Sequence, residues 1–170
     1  IVTFDRDEFI RAETTAESLA GLRSAFTKDG SVTAGNSSGI NDGTASLVLG
    51  NASVIEVNKV NPLARIVAYG FGGVSSRIMG MGPVPASKKA LERADLSVSD
   101  LDLVESNEAF AAQACAVSRQ LNLDAARVNP NGGAIALGHP VGATGAIIMT
   151  KLIHELHRIN GRYGMATMCI

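Results

Sequence analysis

The stretch from Leu101 to Leu121, LDLVESNEAFAAQACAVSRQL, decides the fold class. Its beginning, Leu101–Glu105, is a short apolar run of the kind that forms a buried strand. Its remainder, Glu108–Leu121, repeats apolar residues at helical spacing, which predicts a helix. The apolar stripe of this helix consists of Phe110, Ala114, Val117 and Leu121. A strand that leads through a polar turn into a helix predicts an α/β domain with helices packed over a sheet.

The same alternation continues on both sides of this stretch. Predicted strands lie at Ala45–Leu49, Arg65–Tyr69 and Met165–Ile170, and Ala134–Leu137 is strand-like. Predicted helices lie at residues 15–27, Ala86–Ala94 and Pro140–Ile159. The first of these helices has a candidate capping box at Thr14 and Glu17. The weakly patterned segment 50–63 ends in Asn61-Pro62, which indicates a boundary between two units.

The composition is that of a globular protein without a broad charged surface. The 170 residues are 46% hydrophobic, 18% charged and 4% aromatic, with a formal net charge of -1. This balance argues against nucleic acid or a membrane as a partner, although a few local cations would suffice for a phosphorylated cofactor. No apolar run approaches the ~18 residues of a membrane-spanning helix. The two cysteines, Cys115 and Cys169, are expected to be free thiols in a reducing compartment.

Three polar or reactive side chains stand where strands and helices are predicted to meet. Asn107 follows a strand and precedes a helix, so it is either an active-site amide or an ordinary helix N-cap. His139 stands between glycines at the predicted mouth of a long helix, where it either serves an oxyanion or a thiol, or occupies a structural turn. Cys169, on a predicted core strand, is either a functional thiol or an inert core residue. Cys115 is predicted to be a core residue of its helix.

Other site patterns are absent from the sequence or incomplete. There is no phosphate-binding G-x-x-x-x-G-K-[ST] motif, and Gly80-Met-Gly82 lacks the third glycine of a dinucleotide fingerprint. No cysteine pair has metal-ligand spacing, and no metal site is predicted. His154 and His157, and likewise Lys88-Lys89, are predicted to lie on solvated faces.

Taken in order, the motifs of this chain resemble those of the thiolase family. The family's Asn-Glu-Ala-Phe motif matches Asn107–Phe110, and its Asn-x-Asn-Gly-Gly and Gly-His-Pro motifs match Asn129–Pro140. Its C-terminal cysteine motif matches Cys169. Residues 33–43 resemble its pantetheine-contacting loop, and Met79–Pro83 resembles another segment of its site. The likeness covers essentially the whole chain, and the order of the motifs makes it specific.

The resemblance implies a fold of two similar halves, in which mixed sheets are covered by helices in αβαβα layers. By this likeness, residues 1–36 are the end of a loop domain, and residues 37–62 close the N-terminal half. Residues 63–170 are then the C-terminal half, with its last strand expected to be missing.

The resemblance also implies a ping-pong reaction on coenzyme A thioesters. A nucleophilic cysteine in the first half takes up an acyl group, His139 activates that thiol, and Asn107 positions a water at the oxyanion site. Cys169 then moves the α-proton of the second acyl-CoA. Its thiol pKa is expected to be lowered by the imidazole and a helix N-terminus.

Eight further residues are implied along the bound substrate. They are Arg11 near the adenine, Ser18, Leu22 and Phe26 along the cofactor, Ala34 and Ser38 in the pantetheine loop, and Met79 and Phe110 at the acyl pocket. No cofactor is expected to stay bound, because coenzyme A thioesters are the substrates. The likeness further implies a homo-oligomer, either a dimer or a tetramer, in the cytoplasm, with mitochondria or peroxisomes as alternatives.

Neither cysteine of this chain stands in the context of the family's nucleophile, so the chain on its own is expected to be inactive. Three other interpretations stay open. The chain could be a non-catalytic module that binds acyl-CoA or a catalytic partner, a related condensing enzyme that acts on carrier-protein thioesters, or a structural fragment that dimerises through its sheet. The context of Cys169 argues against the second, because those enzymes use a second histidine. The intact Asn107, His139 and Cys169 argue against the third.

Overall fold

The computed structural model describes residues 2–170 and has its core around two parallel strands. Strand β1 is Leu103–Ser106 and strand β2 is Gly164–Thr167, with Leu103 paired to Gly164 in the register. Every residue of β1 is buried, because helices cover both faces of the pair. The predicted α/β class is confirmed, and both strands lie close to where the sequence predicts them.

Within residues 2–170, six α-helices and three short 3-10 turns surround the strands. The helices are α1 (Ala16–Ala20), α2 (Ala52–Val57), α3 (Pro83–Ala94), α4 (Ala111–Leu121), α5 (Ala134–Leu137) and α6 (Thr144–Ile159). The 3-10 turns lie at Ser76–Met81, Val98–Asp100 and Ala125–Arg127. None of these helices is long and apolar enough to cross a membrane.

The helices form a layer on each side of the strands. Helices α3 and α4 pack on one face, where Ser87 of α3 donates a hydrogen bond to Thr167 at 3.0 Å. Helix α6 packs on the other face, where Lys151 forms an ion pair with Glu105 at 2.7 Å. The buried cluster between α3, α4 and the strands consists of Val84, Leu91, Leu101, Val104, Val117, Leu121 and Met165. Each fully buried aliphatic side chain of this kind contributes about 1.5–3 kcal/mol.

The three long helices are confirmed, but their first residues differ from the prediction. Helix α4 begins at Ala111 rather than Glu108, because Phe110 is extended and forms an antiparallel bridge with Ser37. Helix α6 begins at Thr144 rather than Pro140, because the Pro140 carbonyl first closes a turn with the Ala143 N–H at 2.8 Å. Helix α3 begins earlier than predicted, since its prolines are tolerated in the first turn.

The predicted helix at residues 15–27 is wrong in length. Helix α1 ends at Gly21, and the chain then turns back so that Ser24 forms an antiparallel bridge with Thr33. A capping box is present, but it joins Thr15 to Ser18, one residue later than predicted. Three apolar residues at helical spacing were too few to hold a helix beyond a glycine.

Two predicted strands, Ala45–Leu49 and Arg65–Tyr69, have no strand partner within the described part of the chain. Their apolar side chains face solvent, with Val48 99% and Ile66 60% exposed. A strand requires a hydrogen-bonded neighbour, and residues 2–170 supply none here. The weakly patterned segment between them contains α2, which begins where the Asn51 side chain accepts the Val54 N–H at 3.0 Å.

Two smaller predictions are also wrong. Ala134–Leu137 is a helical turn, not a strand, because alanine and leucine favour helix and Glu108 accepts the Ile135 N–H at 3.2 Å. Cys115 is exposed rather than in the core, because α4 turns its Val117 side toward the strands. His154, His157 and the Lys88-Lys89 pair are exposed, as predicted.

Candidate active site

Two of the three predicted catalytic side chains meet at the carboxyl end of β1. Asn107 follows β1 directly, and its Nδ2 atom lies 3.4 Å from the Nε2 atom of His139. The amide is 2% exposed, and the Asn107 N–H donates to the Thr167 carbonyl at 2.9 Å. Asn107 is therefore held by β2 and is not a helix cap, since Phe110 stands at the N-cap of α4.

His139 lies in the loop between α5 and α6, and its backbone and its ring are both held. The His139 N–H donates to the Gly39 carbonyl at 2.9 Å. Its Nδ1 atom lies 2.7 Å from the Oγ1 atom of Thr144, the first residue of α6. Gly138 has φ +94°, and a Cβ there would lie 2.5 Å from the Asn41 Oδ1, so this position requires glycine.

Cys169 lies at the same edge of the strand pair. It is two residues beyond Thr167, whose carbonyl binds the Asn107 N–H. The carboxyl ends of neighbouring parallel strands share one edge, so Asn107 and Cys169 both extend from it. Met168 lies beside the beginning of α6, since a Cβ on Gly145 would be 3.7 Å from its sulfur.

The electrostatic surroundings of Cys169 differ from the prediction. The residue is 8% exposed. Burial raises the pKa of the Cys169 thiol, because desolvation disfavours the thiolate, and a backbone hydrogen bond opposes this only in part. The predicted lowering of this pKa is therefore wrong for the chain as described.

The Asn129 amide holds the backbone directly before Asn107, and the Glu108 carboxylate directly after it contacts this amide. Asn129 accepts the Ser106 N–H at 2.9 Å and donates its Nδ2 to the Ser106 carbonyl at 2.8 Å. The same Nδ2 atom lies 3.2 Å from Glu108 Oε1. Gly133 packs so closely on the Glu108 carboxylate that a Cβ there would overlap it. In the sequence, the Asn-x-Asn-Gly-Gly motif was the feature from which these contacts of Asn129 and Gly133 could have been predicted.

An ion pair between a buried carboxylate and a half-buried ammonium lies behind the site, and no motif in the sequence predicts it. Glu105 is 1% exposed and pairs with Lys151, which also donates to the Gly132 carbonyl at 2.6 Å. Burial raises the pKa of Glu105, and the Lys151 ammonium offsets this only in part. The pair borders a cavity of about 200 Å³ that also reaches Asn107 and Thr144. Through Lys151, the ion pair joins α6 to β1 and to the backbone at Gly132.

Four of the predicted substrate-binding residues form one wall that leads to the site. Ser38 donates its N–H and its hydroxyl to the Ala109 carbonyl, each at 3.1 Å. The Phe26 ring packs edge-on against Phe110, with ring centres 5.9 Å apart. Leu22 lies against Gly35, three residues before Ser38, where a Cβ would be 2.6 Å from the Leu22 Cδ1.

The other four predicted substrate-binding residues have no described contact with Asn107 or His139. Arg11 donates to the Glu8 carbonyl at 2.8 Å, and Ser18 is engaged in its capping box. Ala34 is exposed, and Met79 is 44% exposed in a turn that packs against α4. Their roles stay predictions. Residues 2–170 contain no cluster of histidine, cysteine and acidic side chains that could hold a metal ion.

Comparison with known proteins gives one consistent family. The sequence model of the thiolase N-terminal domain matches residues 2–53, and that of the thiolase C-terminal domain matches residues 60–170. The β-ketothiolase BktB of Cupriavidus necator is 57% identical over 170 residues, which are 99% of this chain and 43% of that protein.

Two solved structures superpose closely on the chain. The acetyl-CoA acetyltransferase of Bacillus anthracis gives a TM-score of 0.94 at 54% identity, over 99% of this chain and 43% of that one. The human mitochondrial 3-ketoacyl-CoA thiolase in complex with CoA gives 0.90 at 46% identity, over 98% and 42%. The chain therefore spans less than half the length of the relatives that it matches.

Proposed function

The chain belongs to the thiolase family, and from that premise we propose that it supplies one part of an active site that condenses or cleaves coenzyme A thioesters. The reaction is a reversible Claisen condensation, in which two acetyl-CoA give acetoacetyl-CoA and CoA, or CoA cleaves a 3-ketoacyl-CoA. The contact of 3.4 Å between Asn107 Nδ2 and His139 Nε2 carries the proposal. A carboxamide and an imidazole aimed at one point are suited to a thioester oxygen that becomes negative.

In the first half-reaction, His139 takes the proton of a cysteine thiol that the remainder of the protein supplies. The thiolate attacks the thioester carbonyl, and the resulting oxyanion accepts hydrogen bonds from His139 and from a water that Asn107 orients. CoA leaves, and its sulfur takes up the proton from His139. One well-aimed donor at such an oxygen contributes about 2.7–4 kcal/mol to the transition state.

In the second half-reaction, Cys169 acts on the incoming acyl-CoA. Its thiolate removes the α-proton, and the carbanion attacks the carbonyl of the acyl-enzyme. The thioester bond to the cysteine of the other half breaks, and the released thiolate takes up the proton from Cys169, which restores both cysteines. A thiol with a raised pKa gives a less abundant but stronger base. The burial of Cys169 is therefore compatible with removal of a weakly acidic proton.

The coenzyme A portion would lie along the wall of Leu22, Phe26 and Phe110, with Ser38 at the pantetheine. Arg11, Ser18, Ala34 and Met79 complete the proposed contacts. The apolar side chains of this wall would pack against the pantetheine part of coenzyme A. The Ala109 carbonyl and the Ser38 hydroxyl, at the end of the wall, would orient the thioester. The homo-oligomer, the cytoplasmic location and the domain limits at residues 36 and 62 stay predictions.

A chimera tests the proposal directly. Residues 2–170 would replace the matching segment of the Cupriavidus necator β-ketothiolase, which joins them to a complete partner half. We expect this chimera to cleave a 3-ketoacyl-CoA in the presence of CoA. His139→Asn and Asn107→Ala should each lower kcat by about 10²–10³-fold. His154→Asn is the matched control and should leave kcat unchanged, because His154 is exposed on α6.

Two outcomes would contradict parts of this proposal. The pure chain, mixed with acetyl-CoA, should show no acetyl-enzyme by mass spectrometry and no thiolysis, so turnover by the chain alone would place the nucleophile within it. A chimera that folds and binds CoA without turnover would instead favour the acyl-CoA-binding module.

A further inference from the structure

The His139 ring has a polar neighbour at each of its nitrogen atoms. Nδ1 lies 2.7 Å from the Thr144 Oγ1, and Nε2 lies 3.4 Å from the Asn107 Nδ2. The Thr144 hydroxyl in turn lies 2.9 Å from the Pro140 carbonyl oxygen. Thr144 is 3% exposed, so its hydroxyl has little contact with bulk solvent.

The number of protons in this chain of contacts decides where the imidazole proton resides. A carbonyl oxygen only accepts, so the Thr144 hydroxyl donates its single proton to Pro140. The same oxygen then only accepts from the ring, which requires the proton on Nδ1. A neutral imidazole with its proton on Nδ1 has a bare Nε2, and the Asn107 amide donates toward that lone pair.

We infer that Thr144 is a positioning residue that holds the Nδ1–H tautomer of His139 and so leaves a lone pair on the Nε2 atom that faces Asn107. This inference deepens the proposed function, on which its catalytic meaning rests. Nε2 accepts the proton of the attacking thiol, and the cationic ring then donates from both nitrogens, from Nδ1 to Thr144 and from Nε2 to the thioester oxygen. Thr144 thus accepts from Nδ1 before and after the proton transfer.

The opposite arrangement pairs the Thr144 hydroxyl with Nδ1 instead of with the Pro140 carbonyl. The Pro140 carbonyl would then keep only the N–H donors of Ala143 and Thr144, and Nε2 would carry a proton that the Asn107 Nδ2 could not accept. Restoring that contact would require the Asn107 amide to turn over. The two arrangements therefore differ in one observable, the nitrogen of His139 that carries the proton.

Nitrogen NMR of the chain labelled with ¹⁵N-histidine measures this observable without any turnover. We expect the Nε2 atom of the neutral His139 ring to show the shift of an unprotonated nitrogen. His157 is an internal reference of the opposite kind, because its Nε2 lies 2.6 Å from the Leu63 carbonyl and must donate to it. A protonated Nε2 on His139 in the parent chain would overturn the inference.

Two variants separate positioning from packing. Thr144→Val keeps the branched shape but removes the acceptor, so the ring should become a mixture of tautomers, while Thr144→Ser should keep the parent spectrum. In the chimera, Thr144→Val should lower kcat by at least ~10-fold with little change in KM, as expected when general-base catalysis is impaired. Thr144→Ser keeps the hydroxyl and should keep the kcat of the parent chimera. An unchanged tautomer in Thr144→Val would refute the positioning role, even if kcat falls.

The two measurements also separate this inference from the proposed function. The expected tautomer together with an inactive chimera would leave the inference intact and overturn the thiolase activity. An active chimera in which His139 carries its proton on Nε2 would support the thiolase activity and overturn the inference about Thr144.

Discussion

At the scale of single residues, the two cysteines of the chain have opposite surroundings. Cys115 is exposed on α4, whereas Cys169 is buried and burial raises its thiol pKa. The thiolate is the form that attacks an alkylating reagent, so both low access and a raised pKa slow the reaction of Cys169. We expect iodoacetamide at about pH 8 to modify Cys115 first and Cys169 at least ~10-fold more slowly. Peptide mapping by mass spectrometry over time measures both rates.

The control for this prediction is Cys115→Ser, which leaves Cys169 as the only thiol. Its labelling should remain slow in the folded chain, should accelerate as the pH rises, and should become fast in denaturant. Equal labelling of both cysteines in the folded chain would show that Cys169 is not buried as described.

The proximity of Asn107 and His139 was predictable from the sequence, whereas the residues that surround this contact were not. Both side chains stand next to predicted strand or helix ends, and such ends converge at one edge of an α/β layer. Thr144 and Lys151 could not be predicted, because a buried threonine or a half-buried lysine within an apolar helix carries no motif. Their partners, Pro140 and Glu105, become visible only when the helix is placed on the strands. The catalytic roles themselves stay predictions.

At the scale of elements, the Glu155 carboxylate joins α6 to Asn131, which directly precedes Gly132 and Gly133 in the loop before α5. Glu155 is 5% exposed and accepts from the Arg158 Nε at 2.8 Å and the Asn131 Nδ2 at 2.9 Å. These donors, Arg158 first, lower the pKa of Glu155 from 4.5 to about 2. A lowered pKa in the folded state means that the stabilisation is present above pH 4.5 and is lost as the pH falls toward 2.

Glu155→Gln should therefore lower the melting temperature at pH 7, because the neutral amide binds both donors more weakly. The difference from the parent should shrink as the pH falls through the range between 4.5 and about 2. Circular dichroism melts at a series of pH values measure this difference. Glu92→Gln on the exposed side of α3 is the matched control and should follow the parent at every pH. A constant deficit for Glu155→Gln down to the acid limit would contradict the assigned pKa.

Helices and strands were not equally predictable. The long helices were found because their periodic apolar stripes report a face that packs within the same chain, as Val117 and Leu152 do. Their first residues were missed because glycines, prolines and the bridge at Phe110 fix the turns. A strand, by contrast, depends on a neighbour that its own sequence does not specify. The apolar run at Ala45–Leu49 therefore predicted a strand that the described residues do not pair.

At the scale of the whole molecule, the chain exposes more apolar surface than a folded domain usually does. Large side chains along residues 45–71 face solvent, including Val48 at 99%, Leu49 at 75% and Phe71 at 76% exposure. The chain also matches only 43% of the length of the Cupriavidus necator relative. We predict that these segments gain strand neighbours when the chain is joined to the remaining segment of such a relative.

Hydrogen exchange can test that prediction, because it reports whether a backbone N–H has a partner. In the chain alone, we expect the amides of residues 45–49 and 65–71 to exchange rapidly, since they lack strand partners. In the chimera, the same amides should exchange at least ~100-fold more slowly, because new neighbours would accept their hydrogen bonds. The amides of β2 bond to β1 and should be protected in both proteins, which makes them an internal control. Rapid exchange at residues 65–71 in an active chimera would show that the segment is not a strand in the complete fold, and the apolar pattern that predicted it would then need another cause.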